Sequence, residues 1–554
     1  MIVHCVDDIL LLNMRYLFEY RNCLESVYKY CKCMSNKVLL FILSFFLLTI
    51  SCSKDDLLTD ESQNLKNENI SDDEIVLGKE LNDPYRLDNM QKAFNQLGYP
   101  NPPVSSIKPN HKYVRIKPND DSQLDLLQSD TSLILWSYPL HYEIVVAGSY
   151  YHDPSLPIDA CTYQYAVVPI NYLFPSGLEV ETIYEVFIPP VNEHKDFYDA
   201  LEELSYFLTG AIDEPSNSKA SEWTPSATVK AFDDFVYAYV PLQGITVRAR
   251  YGTKIATGIT NSNGYCAVSE TFKHAVNYSF KWESAYWDIR NGALGQAFYN
   301  GPQLDGTWNL NISKSGGRSI LYASVHRAAW KFFYGNCLGI NRPILTSKTK
   351  IGVLNQESSW GAGCCWGTWS VMGVIPDILI SYPHESLTYD VFGTTIHELA
   401  HQSHLLFMGL STYGQLDKEI HESWAVAVAH ELTDHHYNVE LASYNTFHTM
   451  DYKNYQDWQP GKLSGGKSNC YTPLFVDLID DVNQRFTHDE PLQYPNDNIS
   501  GYSLSYIQDN ILVSSYGLSS FRDALSLHKI NGVTDNDITL LMEYYWGYDY
   551  ARPD

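Results

Sequence analysis

Two histidines four residues apart constrain this chain more than any other feature. They close the sequence His397-Glu398-Leu399-Ala400-His401. On an α-helix, residues four apart lie on one face, so both imidazoles can converge on one metal ion while Glu398 reaches its open position. This pattern also arises by chance in a chain with 18 histidines, so its surroundings must support it.

The residues around the motif predict a helix from about Thr388 to Met408. Apolar side chains at helical spacing give this helix its own buried face, which leaves the histidine face towards a cleft. An apolar strand is predicted just before it, from Asp377 to Tyr382. Such a strand can align a peptide substrate by main-chain pairing, and the alternative is an internal core strand.

A catalytic zinc ion needs three protein ligands and one position for water. His397 and His401 supply two. The metzincin pattern requires Gly at position 404 and His at position 407, but the chain has His404 and Phe407 there. The remaining common solution is a glutamate on a following helix.

A strongly helical run from Asp417 to Glu431 offers that glutamate, with Glu419 and Glu422 as alternatives one turn apart. Glu422 follows His401 by 21 positions and opens His421-Glu422-Ser423-Trp424-Ala425. With the first motif, this segment resembles the gluzincin peptidases, whose third ligand is a glutamate at such a place.

The gluzincin resemblance implies Zn²⁺ as cofactor and Glu422 as its third ligand. It implies Glu398 as the general base that takes a proton from water and passes it to the leaving amine. Gluzincins stabilise the oxyanion with a Tyr or His; Tyr413 is the candidate here, with an ordinary surface tyrosine as the alternative. Asp390 or a backbone carbonyl is expected to orient a histidine ligand.

The first 52 residues predict the location of the protein. Lys37 precedes an apolar run, Val38 to Ile50, which is typical of a signal peptide and shorter than the about 20 residues that span a bilayer. The run ends in Thr49-Ile50-Ser51-Cys52, and Ser53-Lys54-Asp55-Asp56 follows. This resembles the surface lipoproteins of the Bacteroides group, which implies a lipid on Cys52 and a surface-exposed anchor in the outer membrane of the cell envelope.

Composition and patterning predict a multidomain α+β chain. Residues 1–52 are a mis-called start plus the signal peptide, and 53–103 an acidic flexible tether. Residues 104–225 form a β-rich N-terminal module, and 226–315 a β-sandwich. Residues 316–554 form a mainly helical, zincin-like catalytic domain with a small sheet, including helices at Pro473 to Arg485 and Ile538 to Tyr545.

The predicted sandwich rests on alternating residues from Ile245 to Tyr251 and on the turn at Asn263-Gly264. It resembles the transthyretin-like domains of secreted peptidases, which implies an accessory or spacing role. The six cysteines from Cys161 onward are scattered and expected to be buried free thiols.

Together these features predict a zinc endopeptidase acting on extracellular peptides or glycoproteins. The alternative is a non-catalytic surface lipoprotein that binds glycans or a host protein through an inactive zincin fold. A net charge of −27 argues against nucleic acid as a partner.

Overall fold

The computed structural model describes residues 74–157, 160–190, 194–214, 222–292, 295–342, 347–357, 363–365, 376–444, 471–487 and 495–545. The predicted signal peptide, the lipid anchor at Cys52 and the first part of the tether lie outside these residues. Within them, no helix combines the length and hydrophobicity needed to cross a bilayer.

The N-terminal part of the described chain combines a small sheet, a two-stranded ribbon and three helices. Its elements are β1 Val76–Glu80, α1 Leu87–Leu97, β2 His111–Lys117, α2 Asp121–Ser129, β3 Tyr142–Val146, β4 Gln164–Pro169, β5 Glu179–Val186 and α3 Lys195–Leu208. The antiparallel sheet has the order β4-β2-β5, and β1 pairs with β3. The prediction of β structure with a helix near Phe197 to Leu208 is confirmed.

The predicted tether was wrong for residues 74–103. This stretch contains β1 and α1, and its side chains Ile75, Tyr85, Met90 and Ala93 are buried. Phe94 of α1 packs edge to face on Phe197 of α3, with ring centroids 6.1 Å apart. Enough apolar surface is therefore buried here to order the chain.

The middle part consists of two four-stranded sheets that share a core. Its strands are β6 Ser226–Asp233, β7 Ala238–Pro241, β8 Thr246–Tyr251, β9 Lys254–Ile259, β10 Tyr265–Ala267, β11 Val276–Lys281, β14 Phe298–Leu304 and β15 Trp308–Ile312. One sheet joins β10, β6 and β15, with β7 beside β6, and the other has the order β14-β11-β8-β9. Trp308 of the first sheet meets Tyr278 and Phe280 of the second at ring distances of 5.5 and 5.8 Å. Gly264 takes the positive φ of 75° that the predicted turn requires.

The C-terminal part carries the motif helix on a five-stranded sheet. Its elements are α4 Arg318–Phe333, β16 Thr349–Leu354, β17 Gly363–Cys365, β18 Ile378–Ser381, α5 Thr388–Met408, α6 Leu410–Tyr413, α7 Lys418–His435, a π-helical turn His436–Glu440, α8 Gln484–Thr487, α9 Leu504–Tyr506, turns Ile507–Ile511 and Leu512–Ser514, α10 Leu518–Leu527 and α11 Asp535–Tyr545. The predicted helix over Pro473 to Arg485 was wrong, because residues 474–479 form turns, of which 474–478 are buried. There Phe475 packs between Trp424 and Phe521.

Two strands from within the predicted sandwich belong to this sheet instead. They are β12 Trp287–Asn291 and β13 Gly295–Gln296, and the sheet order is β13-β12-β16-β18-β17. β12 runs parallel to β16, with Ile289 opposite Ile351. The boundary predicted at residue 316 is therefore crossed by main-chain pairing, and the mixed α+β class is confirmed.

The sandwich also supports the motif helix directly. The carboxylate of Asp234 accepts a hydrogen bond from the backbone N–H of Thr388 at the start of α5 (3.0 Å), and the Thr388 hydroxyl oxygen accepts one from the backbone N–H of Asp234 (2.8 Å). The neighbouring Asp233 binds Arg327 of α4 at 2.5 Å and Tyr437 at 2.9 Å. A carboxylate at a helix N-terminus also complements the helix dipole.

Three cysteines, Cys161, Cys266 and Cys337, are free thiols, the last two buried. Cys470 and the side chains of Cys364 and Cys365 lie outside the described residues.

Candidate metal centre

Helix α5 holds His397 and His401 in place through its buried opposite face. Val391, Phe392 and Ile396 are fully buried in the core, so the helix cannot rotate without exposing apolar surface. Helix α7 packs against α5, and its small buried residues Ala425, Ala427 and Ala429 allow close approach. This approach brings Glu422 to the two histidines.

One ligand atom from each of His397, His401 and Glu422 lies within 4.8 Å of the others. Nε2 of His401 is 3.0 Å from Nε2 of His397 and 3.0 Å from Oε2 of Glu422. The distance from Nε2 of His397 to the same carboxylate oxygen is 3.4 Å. Two imidazoles and a carboxylate are a donor set that suits zinc, with a fourth position left for water. The residues fit the ion that the sequence implies.

The alternative ligand Glu419 does not join this cluster. It lies one turn earlier on α7 and is half-buried, whereas the Glu422 side chain is 1% exposed. Within the described residues, the triad is the one group of this kind.

Charges in the triad favour an ionised Glu422. Burial raises its pKa, but His401 and His397 outweigh burial and hold the pKa of this carboxyl well below its usual range. Burial lowers the pKa of His401, yet the charge and hydrogen bond of Glu422 raise it overall. The carboxylate anion and its nitrogen partners therefore stabilise one another.

Glu398 lies beside the triad without a partner for one of its oxygens. It is 3% exposed, and Oε2 accepts no hydrogen bond from any described residue. Burial raises its pKa to about 8, opposed by His401 and assisted by Glu422. A buried carboxyl tuned towards neutral pH is suited to exchanging protons.

The outward nitrogen of His401 contacts Tyr413. The Tyr413 hydroxyl lies 3.0 Å from Nδ1 of His401, while Nε2 faces the triad. The backbone carbonyl of Ala425 accepts a hydrogen bond from the imidazole of His397. Of the two orienting groups expected, the backbone carbonyl is therefore present, and no described contact joins Asp390 to either histidine.

The predicted substrate strand is internal. β18 lies between β16 and β17, so of the two alternatives for Asp377 to Tyr382 the internal core strand is confirmed and the substrate edge is not. The edge beside the motif helix is β17, where a Cβ on Gly363 would lie 2.8 Å from Oε1 of Glu398. The additional strand β17, which pairs back on β18, covers the edge that β18 would otherwise present.

Sequence reasoning missed other neighbours of the triad. The Tyr471 ring centroid is 5.9 Å from that of His397, and the His421 ring is 5.5 Å from that of His401. His404 is fully buried, and neither ring nitrogen has a hydrogen-bond partner among the described residues; burial lowers its pKa to about 3. His421 adjoins Glu422 and His404 follows His401 by three positions, so both carried a signal in the sequence, whereas Tyr471 carried none.

Comparison of the chain with family models, with curated proteins and with solved structures gave no match. The chemistry of the centre therefore rests on its own residues and geometry.

Proposed function

We propose that this chain is a zinc-dependent endopeptidase of gluzincin type. The observation that carries the proposal is the convergence of His397, His401 and Glu422 within 4.8 Å, with the buried carboxyl of Glu398 beside them. Zinc held by these three residues supplies a Lewis acid that activates water near neutral pH and polarises a carbonyl.

The residues of the chain divide the remaining work. Glu398 accepts the proton of the attacking water and delivers it to the leaving amine. Its raised pKa suits both transfers, because such a carboxyl exchanges protons readily near neutral pH. The Ala425 carbonyl and the Tyr413 hydroxyl fix the orientation of the two imidazoles. In this arrangement Tyr413 is a positioning residue rather than the oxyanion donor that the family resemblance suggested.

The substrate is proposed to be an extended peptide segment of an extracellular peptide or glycoprotein. Strand β17 is short and lies at the edge of the sheet, and Gly363 brings its backbone close to Glu398. A peptide that adds to this edge by main-chain hydrogen bonds runs past the proton-transferring carboxyl.

The domain layout and location form part of the same proposal. The C-terminal part, with β12 and β13, acts as a zincin-like catalytic domain, and the two-sheet unit before it is transthyretin-like. A lipid on Cys52 anchors the protein to the outer membrane. The sandwich is then more than a spacer, because Asp234 and Asp233 bind the helices of the catalytic part.

The proposal is tested with the full chain, its Glu398→Gln variant and a matched control, Glu431→Gln, on α7. Zinc content is measured by elemental analysis, and cleavage is measured with unfolded casein. Wild type and control should bind zinc and cleave, while Glu398→Gln should bind zinc and lose at least about 10²-fold of its rate. A folded wild-type protein without zinc, or cleavage that survives Glu398→Gln, contradicts the proposal and supports a non-catalytic binding protein.

A further inference from the structure

A cavity of about 780 Å³ lies between the N-terminal part and the second sheet of the sandwich. It shares no lining residue with the metal centre. Its size falls in the range of small-molecule sites. Polar side chains and tyrosines dominate its wall, so its chemistry differs from that of an apolar packing defect.

Strand register builds one wall of this cavity. Arg250 of β8 lies opposite Asn277 of β11, and Asn277 lies opposite Gln303 of β14. Directly paired residues point to the same face of a sheet, so these three side chains form a row across three strands. All three line the cavity.

Arg250 is a buried cation without a counter-ion among the described residues. It is 5% exposed, and its one described hydrogen bond donates from Nη1 to the Leu140 carbonyl at 3.2 Å. No described carboxylate forms an ion pair with it. Arg248, two residues earlier on the same face, is buried to a similar degree but pairs with Glu283 at 3.1 Å. A buried charge without a partner is costly, so the difference between these two arginines points to an anion from outside the chain.

The other groups in the cavity suit hydroxyls. The amides of Asn277 and Gln303 each carry two N–H donors and an acceptor oxygen, which can match hydroxyl groups. One N–H of Gln303 donates to the Ala275 carbonyl at 3.4 Å, and its second N–H and its oxygen remain for a ligand. Tyr142 and Tyr184 also line the cavity, and their rings combine an apolar body with a polar tip. A ring that carries hydroxyls and one carboxylate complements all of these groups.

The carboxylates at the cavity do not prevent an anion from binding at Arg250. Glu80 and Glu143 are exposed, so solvent and salt screen their charges. The buried Asp83 already accepts hydrogen bonds from the Tyr85 backbone N–H (3.0 Å) and the Tyr184 hydroxyl (3.1 Å). The guanidinium of Arg250 is the buried cation of the wall and acts in a lower dielectric.

We propose that this cavity binds a sugar acid, with the carboxylate on Arg250 and the hydroxyls on Asn277 and Gln303. An arginine fork binds a carboxylate through two parallel hydrogen bonds. The acid can be a free monosaccharide or part of a glycan chain, since both present the same chemistry. The site is independent of the peptidase centre and gives the protein a second, carbohydrate-binding function.

The test uses the full chain and saturation-transfer NMR. D-glucuronic acid is compared with D-glucose, which has a hydroxymethyl group in place of the carboxylate, and with a chondroitin tetrasaccharide, which carries the acid in a chain. We expect glucuronic acid to bind and glucose to bind at least tenfold more weakly. Tighter binding of the tetrasaccharide than of the monosaccharide identifies a glycan chain as the source, and the reverse identifies the free sugar.

Variants assign the binding to the cavity. Arg250→Gln should weaken glucuronic acid at least tenfold, whereas the surface variant Arg115→Gln should leave it unchanged. If Arg250→Gln fails to fold, Asn277→Asp places a carboxylate beside Arg250 and should abolish acid binding. Any one of four results overturns the proposal. These are equal binding of glucose and glucuronic acid, no binding of either acid, no effect of the cavity variants, and displacement of the acid by triglycine. Zinc content stays at the wild-type level in each variant, so this outcome is separate from that of the peptidase test.

Discussion

The hydroxyl of Tyr413 lies 3.0 Å from Nδ1 of His401, on the side of the imidazole opposite the triad. When Nδ1–H donates to the hydroxyl oxygen, the imidazole is held in the tautomer whose Nε2 lone pair is free to bind a metal. The ring of His404 packs perpendicular to Tyr413 at 5.2 Å and holds it in place. In the proposed zinc site, Tyr413 therefore acts on the metal through His401.

Replacement of Tyr413 by Phe should weaken zinc binding by about 10- to 100-fold, because the orienting contact to His401 is lost. The rate of the zinc-saturated variant should remain close to that of wild type. Zinc affinity is measured by competition with a chelator, and peptide cleavage is measured at saturating zinc. A variant with normal zinc affinity but a strongly reduced rate returns Tyr413 to the role of oxyanion donor.

Replacement of Gly363 by Val should stop peptide cleavage while zinc stays bound. A Cβ at this position would lie 2.8 Å from both Oε1 of Glu398 and Cγ2 of Thr394, so the side chain displaces Glu398 and blocks the strand edge. Gly306→Val is the matched control, since a Cβ there would meet no described atom within 4 Å. Equal cleavage by both variants contradicts the assigned substrate edge.

Much of the metal centre could be predicted from the sequence because its determinants are local. Helical spacing placed His397 and His401 together, and the position of Glu422 in the next apolar helix distinguished it from Glu419. An unspecified backbone carbonyl was one of two alternatives for the orienting group, and no pattern in the sequence pointed to Ala425 or Tyr471. These contacts depend on how helices and a distant turn pack. The apolar residues at 474–476 are buried, but packing on Trp424 favours turns over the predicted helix there.

The parallel pairing of β12 with β16 could not be predicted for the same reason. Trp287 lies opposite Thr349, and nothing local to either strand specifies a partner so far along the chain. The alternation of residues in the sandwich suggested strands but could not say which sheet each one joins.

Replacement of Arg290 by Ala should destabilise the protein by about 3 kcal/mol, because it removes the cation shared by two buried carboxylates. Among the described residues, Asp121 then keeps only Lys350 as a cationic partner, and Asp288 keeps only Lys281. Arg290 is fully buried and pairs with Asp121 of α2 at 3.0 Å and with Asp288 of β12 at 3.3 Å. The exposed pair of Arg115 with Glu181 is the control, and Arg115→Ala should cost about 1 kcal/mol or less. Urea unfolding measures both; similar losses for the two variants contradict a stabilising link between α2 and the sheet.

Acid should destabilise the protein partly through His326 of α4. Burial lowers its pKa to about 4, and the Gln243 carbonyl, 2.8 Å from Nε2, opposes this only in part. As pH falls, the unfolded chain takes up a proton on His326 first, near pH 6.5. The contribution of neutral His326 to stability is therefore fully present above pH 6.5 and decreases from there towards pH 4. The loss amounts to about 3 kcal/mol. Urea unfolding at pH 7, 5.5 and 4 should show a smaller decrease for His326→Gln than for wild type, and equal decreases contradict this assignment.

The most direct test of the metal centre is the zinc content of three proteins purified in parallel. The wild-type chain should hold about one zinc ion per chain, as one triad requires. Glu419→Ala should keep this zinc, while Glu422→Ala should lose most of it although both remain folded. Zinc lost from Glu419→Ala but retained by Glu422→Ala, or absent from the folded wild type, contradicts a centre built from His397, His401 and Glu422.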